Sequence, residues 1–64
     1  MNCLKKELYS TIGKCRMYRF YNNRTGKTVN YKVYDSNRHL ITTTDDEEYA
    51  NRVLKDKANM IAFR

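Results

Sequence analysis

The sequence predicts an α+β domain in which a C-terminal helix covers one face of a three-stranded antiparallel sheet. The segment Thr28–Asp35 alternates apolar and polar residues, which is typical of a strand buried on one face only. An acidic cluster begins at residue 45 and leads into an apolar stripe at helical spacing. A second stripe near the N-terminus predicts a short first helix, so the expected element order is α-β-β-β-α.

The chain length of 64 residues predicts one small domain, residues 1–64, with a thin core. A chain of this size buries only about 60% of the surface that its unfolded form exposes. The composition is still that of a folded protein, because 41% of the residues are hydrophobic and six Tyr and two Phe supply bulky side chains.

The first helix is predicted from Leu4, Leu8 and Ile12, which recur every four residues. Gly13 would end this helix in a left-handed conformation. Such a helix of about three turns is too short to be stable alone, so we expect it to pack against the sheet or the second helix.

The first two strands are predicted as Cys15–Asn22 and Thr28–Asp35, joined by a loop with Gly26 at positive φ. A four-residue loop pairs Asn22 with Lys27, and a two-residue turn shifts the pairing by two without changing the faces. Either register places one set of side chains under the C-terminal helix: Tyr18, Phe20, Val29, Tyr31 and Val33. A one-residue slip would bring Arg19 into the core, which the cost of burying a charge disfavours.

The third strand is predicted at about Arg38–Thr43, and the sequence leaves open whether Leu40 or Ile41 faces the core. Thr44 and Glu47 then match a capping box at the start of a helix over residues 45–62. The helix would cover the sheet with Val53, Leu54 and Ile61.

Catalysis and metal binding have little support in the sequence. The carboxylates of Asp45–Glu48 fit a solvated helix N-terminus better than a pair of acid–base groups. His39 has no neighbouring nucleophile, and Cys3 and Cys15 lack a Cys-x-x-Cys pair that would start a zinc site. We therefore expect a non-enzymatic protein with no cofactor and no metal.

The cellular compartment is predicted from the apolar runs and the cysteines. The longest apolar run is Met60–Phe63, which is too short for a membrane span or a signal peptide. The protein is therefore expected in the cytoplasm, where Cys3 and Cys15 would be free thiols, although their spacing does not itself exclude a disulfide.

The positive charge is concentrated in the first two-thirds of the chain. The net charge is +6; residues 1–44 hold nine Lys/Arg and two acidic residues, whereas residues 45–64 hold four Lys/Arg and five acidic residues. A basic surface on the sheet favours a polyanionic partner, although acidic protein partners and solubility also fit it.

The candidate binding site is the sheet face that the C-terminal helix leaves uncovered. Cations there would bind phosphates, while Asn and aromatic groups would contact or stack on bases. A soluble domain seldom leaves two Tyr and a Met, here Met17, on a face open to water. The candidate residues for nucleic acid or another partner are Arg19, Tyr21, Asn30, Lys32 and Tyr34 on the face, and Arg16, Arg24, Lys27 and Arg38 around the loops.

The run from Tyr31 to Ala50 resembles the arm-type DNA-binding domain of tyrosine integrases. The resembling features are Tyr31-Lys32-Val33-Tyr34-Asp35, a strand ending in Thr42-Thr43-Thr44, and a helix starting Glu47-Glu48-Tyr49-Ala50. The resemblance covers roughly residues 16–58 and implies a sheet laid into the DNA major groove. It makes DNA a more favoured partner than RNA, with Arg19, Tyr21, Asn30 and Lys32 facing the groove.

The predicted α-β-β-β-α order also resembles double-stranded-RNA-binding domains. Those domains start their last helix with a Lys-rich segment, whereas this chain has Asp45–Glu48 there. This difference disfavours duplex RNA binding in their manner.

A second class of function fits the same surface. Small proteins without enzyme motifs are typical of phages and mobile elements, which use them to bind and inhibit or redirect a host protein. The Tyr-rich sheet face or an edge strand would then be the interface. The excess of positive charge favours nucleic acid over this alternative.

Overall fold

The computed structural model describes residues 3–62, which form one four-stranded antiparallel sheet and one helix. The strands lie side by side in chain order, and α1 contacts all four of them. The elements are β1 Leu4–Ile12, β2 Cys15–Asn22, β3 Thr28–Tyr34, β4 Leu40–Thr44 and α1 Glu47–Ala62. The predicted α+β class and C-terminal helix are confirmed, but the predicted three-stranded sheet and N-terminal helix are wrong.

The predicted first helix is instead the edge strand β1. A spacing of four residues is compatible with a helix, but it is also a multiple of two, so Leu4 and Leu8 share one face of a strand as well. Gly13 does not end a helix: with Lys14 it forms the two-residue turn between Ile12 and Cys15, at a φ of 60°. Gly at positive φ in the first turn position is typical of a type II′ hairpin, which matches the twist of the strands.

The loop between β2 and β3 forms as predicted, but the strand pairing beyond it does not. Asn22 N–H donates to Lys27 O at 2.8 Å, and Gly26 has a φ of 76°. Tyr21 pairs with Thr28, yet the next pair is Phe20 with Asn30, so Val29 is an extra residue in the ladder. This β-bulge shifts the register by one and reverses the predicted faces of β2.

The core lies between α1 and one face of the sheet. We call this sheet side the covered face, with Met17, Tyr31 and Val33 at its centre, and the other side the open face, with Tyr18, Lys32 and Tyr34 at its centre. The buried side chains come from three elements: Cys15 and Met17 on β2, Tyr31 and Val33 on β3, and Ala50 and Leu54 on α1.

Several predicted core positions are corrected by this register. Tyr31, Val33 and Leu54 are buried and Val53 packs against them, as predicted. Tyr18 and Phe20 pair with Lys32 and Asn30 and lie on the open face, and Val29 is 47% exposed. Met17, predicted on the uncovered face, is fully buried. The side chain of Ile61 lies outside the described part of the chain.

The N-terminus of α1 is joined to the sheet by a single carboxylate. Tyr9 and Tyr31 hydroxyls both donate to Glu47 Oε1, at 2.9 and 3.1 Å, and their rings pack with centroids 5.3 Å apart. The hydrogen bond from Tyr9 to Glu47 raises the pKa of Tyr9, because ionising the phenol would place a second negative charge beside the Glu47 carboxylate. The edge strand β1 is thereby fixed to the helix.

The helix cap is Asp46 and not the predicted Thr44. Asp46 Oδ1 accepts from the backbone N–H groups of Glu48 and Tyr49, at 3.0 and 3.2 Å. Thr44 Oγ1 accepts from Asp46 N–H at 3.1 Å, so it orders the turn that precedes the helix. Asp and Thr are both good N-cap residues, and the local sequence offers both within three positions.

Replacing Asp46 with Ala should lower the free energy of unfolding by about 1 kcal/mol, since two helix N–H groups lose their acceptor. Asp45→Asn is the matched control, because Asp45 is exposed and forms no hydrogen bond in the described structure. It should change stability by less than about 0.5 kcal/mol. Urea denaturation measures both, and equal midpoints for Asp46→Ala and the parent would contradict this cap.

The last strand begins two residues later than predicted. Leu40 lies on the open face and is 51% exposed, whereas Ile41 packs against the core, which answers the question that the sequence left open. The preceding loop is organised by Asp35, whose Oδ1 accepts from the N–H groups of Asn37 and His39, both at 2.9 Å. The hydrogen bond from His39 N–H lowers the pKa of Asp35.

Candidate nucleic-acid interface

The open face combines aromatic and basic side chains from three strands. Lys6 of β1, Arg16, Tyr18 and Phe20 of β2, and Asn30, Lys32 and Tyr34 of β3 occupy its centre. Glu7 is the one acidic residue within the four strands, and it lies on the covered face, bonded to Arg19. Within the strands, the open face therefore carries positive charge without an acidic neighbour.

The aromatic rings of the open face are in direct contact with its lysines. Lys6 Nζ lies 5.1 Å from the ring centroid of Tyr18, and Lys32 Nζ lies 5.2 Å from that of Phe20. Tyr18 and Tyr34 meet edge to face, with centroids 5.7 Å apart. These cation–π and aromatic contacts hold the rings half-buried against the sheet.

One end of the open face forms a basic depression of about 700 Å³, which we call the basin. Tyr18 and Tyr34 line it, and its cations come from strands and turns alike: Lys6, Lys14, Arg16 and Arg38. Asp35 is the one carboxylate in its lining. Four cations around two phenol rings create a site suited to an anion that also carries an aromatic or apolar part.

Arg38 takes part in the basin from a strained backbone position. Its φ is 66°, and it is the one residue other than Gly with positive φ in residues 3–62. The left-handed conformation disfavours a side chain with a Cβ by about 1–2 kcal/mol. Two hydrogen bonds to Asp35 hold this conformation. The N–H of Arg38 donates to Asp35 O, and the N–H of the next residue, His39, donates to Asp35 Oδ1.

Asn30, on the open-face side of β3, has a side-chain oxygen without a partner in the described part of the chain. Its Oδ1 is buried and has no hydrogen-bond partner among the described residues. Leaving a buried acceptor without a partner costs about 1–3 kcal/mol, so this amide is a weak point of the packing under the open face.

The structure divides the nine predicted site residues into three groups. Asn30, Lys32, Tyr34 and Arg16 lie together on the open face, and Arg38 joins them at the basin. Arg24 and Lys27 are exposed in the β2–β3 loop, at the opposite end of the sheet. Arg19 and Tyr21 lie on the covered face, so their predicted place beside Lys32 is wrong.

Arg19 serves the fold through three hydrogen bonds. Its guanidinium donates to Glu7 Oε1 at 2.8 Å, Thr28 Oγ1 at 2.6 Å and Gly26 O at 2.7 Å. It also stacks 4.8 Å from the ring centroid of Tyr21. The hydrogen bond to Glu7 raises the pKa of Arg19, and the side chain joins β1, β2 and the β2–β3 loop. A charged group on the covered face is tolerated because these partners satisfy it.

Sequence reasoning missed four residues of this face: Lys6, Lys14, Tyr18 and Phe20. Lys6 fell within the predicted first helix, Lys14 fell between this helix and the first predicted strand, and the other two were assigned to the core. A signal for Lys6 existed, since Tyr9 to Ile12 followed by Gly-Lys and then Cys15 to Asn22 also fits two strands around a two-residue turn.

The remaining candidate chemistry lies away from the open face. Asp46 and Glu47 are engaged in the helix cap and in the bonds to Tyr9 and Tyr31, which confirms the prediction of a helix N-terminus. Cys3 and Cys15 are free thiols at opposite ends of the β1–β2 hairpin. Within residues 3–62, no three His, Cys, Asp or Glu side chains are grouped to hold a metal ion.

Neither the helix α1 nor comparison with known proteins assigns a function to this chain. The one helix of the described chain, α1, is neither long nor apolar enough to cross a membrane. Comparisons with protein-family models, curated proteins and solved structures found no match for this chain.

Proposed function

We propose that this chain is a non-enzymatic nucleic-acid-binding protein that uses the open face of its sheet. The observation that supports this proposal most is the alternation of Lys6, Arg16 and Lys32 with Tyr18, Phe20 and Tyr34 on one uncovered face. Cations supply affinity for phosphates, and aromatic rings supply surfaces for bases.

The distribution of charge supports the same proposal. The acidic residues of the described chain lie mainly at the start of α1 and on its surface, on the other side of the sheet. The basic side chains of the open face and basin therefore act together on an approaching polyanion, and the acidic side is turned away from it. Such segregation raises the rate of association as well as the affinity.

A protein partner is the second candidate, and exposed leucines at the sheet edges favour it. Leu8 on β1 is 54% exposed and Leu40 on β4 is 51% exposed, and both lie on the open face. A host protein bound and inhibited through this face would cover these leucines together with the tyrosines. The positive charge between the two edges, with no acidic strand residue on this face, favours nucleic acid.

A salt titration distinguishes the two candidates. Binding to fluorescent DNA and RNA oligonucleotides should weaken steeply between 50 and 200 mM salt, and four or five phosphate contacts would give a log–log slope of about −3 to −4. A protein interface at the same face would depend only modestly on salt. Absence of oligonucleotide binding at the lowest salt would overturn the proposal.

A further inference from the structure

We infer that the nucleic acid held by the open face is single-stranded, with unpaired bases stacked on Tyr18, Phe20 and Tyr34. This inference rests on the proposed function and names the class of nucleic acid. Three features of the open face carry it: the position of the rings, the width of the sheet, and the contacts of the lysines.

The rings lie where only an unpaired base reaches them. Tyr18 and Phe20 are on β2 and Tyr34 is on β3, the two central strands of the sheet. In a duplex the base faces are stacked on one another, and a protein contacts only base edges in the grooves. A ring in the middle of a sheet has stacking surface to offer, and unpaired bases are the groups that use such a surface.

The sheet is also too wide for the major groove. Four strands at about 4.8 Å spacing span about 14 Å between the outer strand axes, and the major groove is about 12 Å wide. The exposed Leu8 and Leu40 project from the open face at these two outer strands. A duplex would meet these edges first, which would leave Tyr18 and Phe20 out of its reach. The fourth strand thus separates this sheet from the three-stranded groove-binding arrangement.

The spacing of the rings fits an extended strand. Tyr18 and Phe20 are two residues apart on β2, a distance of about 6.6 Å along the strand. This is about twice the 3.4 Å rise per nucleotide of one strand in B-DNA. Successive bases on these two rings would therefore be separated from each other, as they are in an extended strand.

Each lysine ammonium group lies over a ring face, and a base can take its place there. Lys6 and Lys32 place their ammonium groups 5.1 and 5.2 Å from the centroids of Tyr18 and Phe20. Each ammonium ends a flexible stem, so it can leave the ring and meet a flanking phosphate as a base stacks in its place. Each ring and its lysine thus form one unit for a base and a phosphate. Tyr34, with Arg38 and Arg16 in the basin, forms a third unit.

The experiment compares one labelled 12-nucleotide strand, alone and annealed to its complement, at equal salt. We expect the wild-type protein to bind the single strand at least about tenfold more tightly than the duplex, since stacking is lost with the duplex. An RNA strand of the same base sequence, measured in the same way, shows whether the protein distinguishes ribose from deoxyribose. Equal or tighter binding of the duplex would overturn the inference and leave the proposed function standing. Absence of binding to both forms would remove the proposed function itself.

Ring variants locate the stacking. Tyr18→Leu and Phe20→Leu should each weaken single-strand binding about tenfold and leave the salt slope unchanged, because stacking releases no counterions. Tyr49→Leu is the matched control, since Tyr49 is 45% exposed on α1, and it should bind as the parent does. Circular dichroism confirms that each variant is folded. Unchanged single-strand affinity in both folded ring variants would overturn the inference.

Discussion

Changing Lys6, Arg16 and Lys32 together to Gln should weaken nucleic-acid binding on the order of 100-fold at 50 mM salt. These three side chains supply the positive charge at the centre of the open face. If each contacts one phosphate of a single strand, the log–log salt slope should become shallower by about 2. Fluorescence anisotropy over a salt series measures both quantities.

The control for this variant is a second triple change of equal charge. Lys5, Arg52 and Lys55 are exposed and lie on the α1 side of the sheet. Changing them to Gln also lowers the net charge from +6 to +3. This triple variant should lose less than about fivefold in affinity, because the removed charges are screened from a ligand on the open face. Similar losses in both triples would mean that overall charge, and not this surface, determines binding.

Met17→Lys should unfold the protein or remove a large part of its stability, whereas Tyr18→Lys should leave it folded and nearly as stable. Met17 is completely buried, so the variant would place an unpaired charge in the core at a cost of about 4 kcal/mol or more. A domain of this size has a total stability of only about 3–10 kcal/mol. Tyr18 lies on the open face, and its replacement should cost about 1 kcal/mol through the lost ring contacts.

Circular dichroism and urea denaturation of the two variants test the strand register directly, because the positions are adjacent in the chain. The opposite result, with Met17→Lys folded and Tyr18→Lys unfolded, would mean that Tyr18 faces the helix. That outcome would move Phe20 to the covered face as well, and the proposed stacking surface would no longer exist.

The sequence predicts those elements whose pattern is local. Apolar and polar residues alternate regularly in the sequence of β3, so Tyr31 and Val33 were placed correctly in the core. The loop that ends at Gly26 was predicted from its turn residues, and its closing pair of Asn22 and Lys27 is present. The apolar stripe of α1 identified Leu54 in the same way.

The faces of β2 could not be predicted because one inserted residue decides them. Val29 looks like a core residue, but it forms the bulge between the Tyr21–Thr28 and Phe20–Asn30 pairs. Arg19 then enters the covered face, which the cost of burying a charge argued against. That cost is offset by Glu7, Thr28 and Gly26, and Glu7 belongs to a strand that had been predicted as a helix.

The residues of the open face were predicted only in part for the same reason. Lys32, Asn30 and Tyr34 were located through β3, and Arg16 was placed near them. Tyr18 and Phe20 were assigned to the core by the register error, and Lys6 was hidden by the helical reading of β1. Each missing residue depends on a pairing between strands, and hydrophobic spacing within one segment carries no information about that pairing.

The order of the strands has a consequence for how fast the chain reaches this structure. Every strand pairs with its neighbour in the chain, and the three connections span only residues 13–14, 23–27 and 35–39. Closing such short loops loses little chain entropy, so the sheet can assemble hairpin by hairpin at microsecond rates. When α1 docks on β1, β2 and β3, it forms contacts between residues that are far apart in the chain, such as Tyr9 and Glu47. The rate of folding should therefore depend mainly on the docking of α1, and until α1 docks both faces of the sheet are open to water.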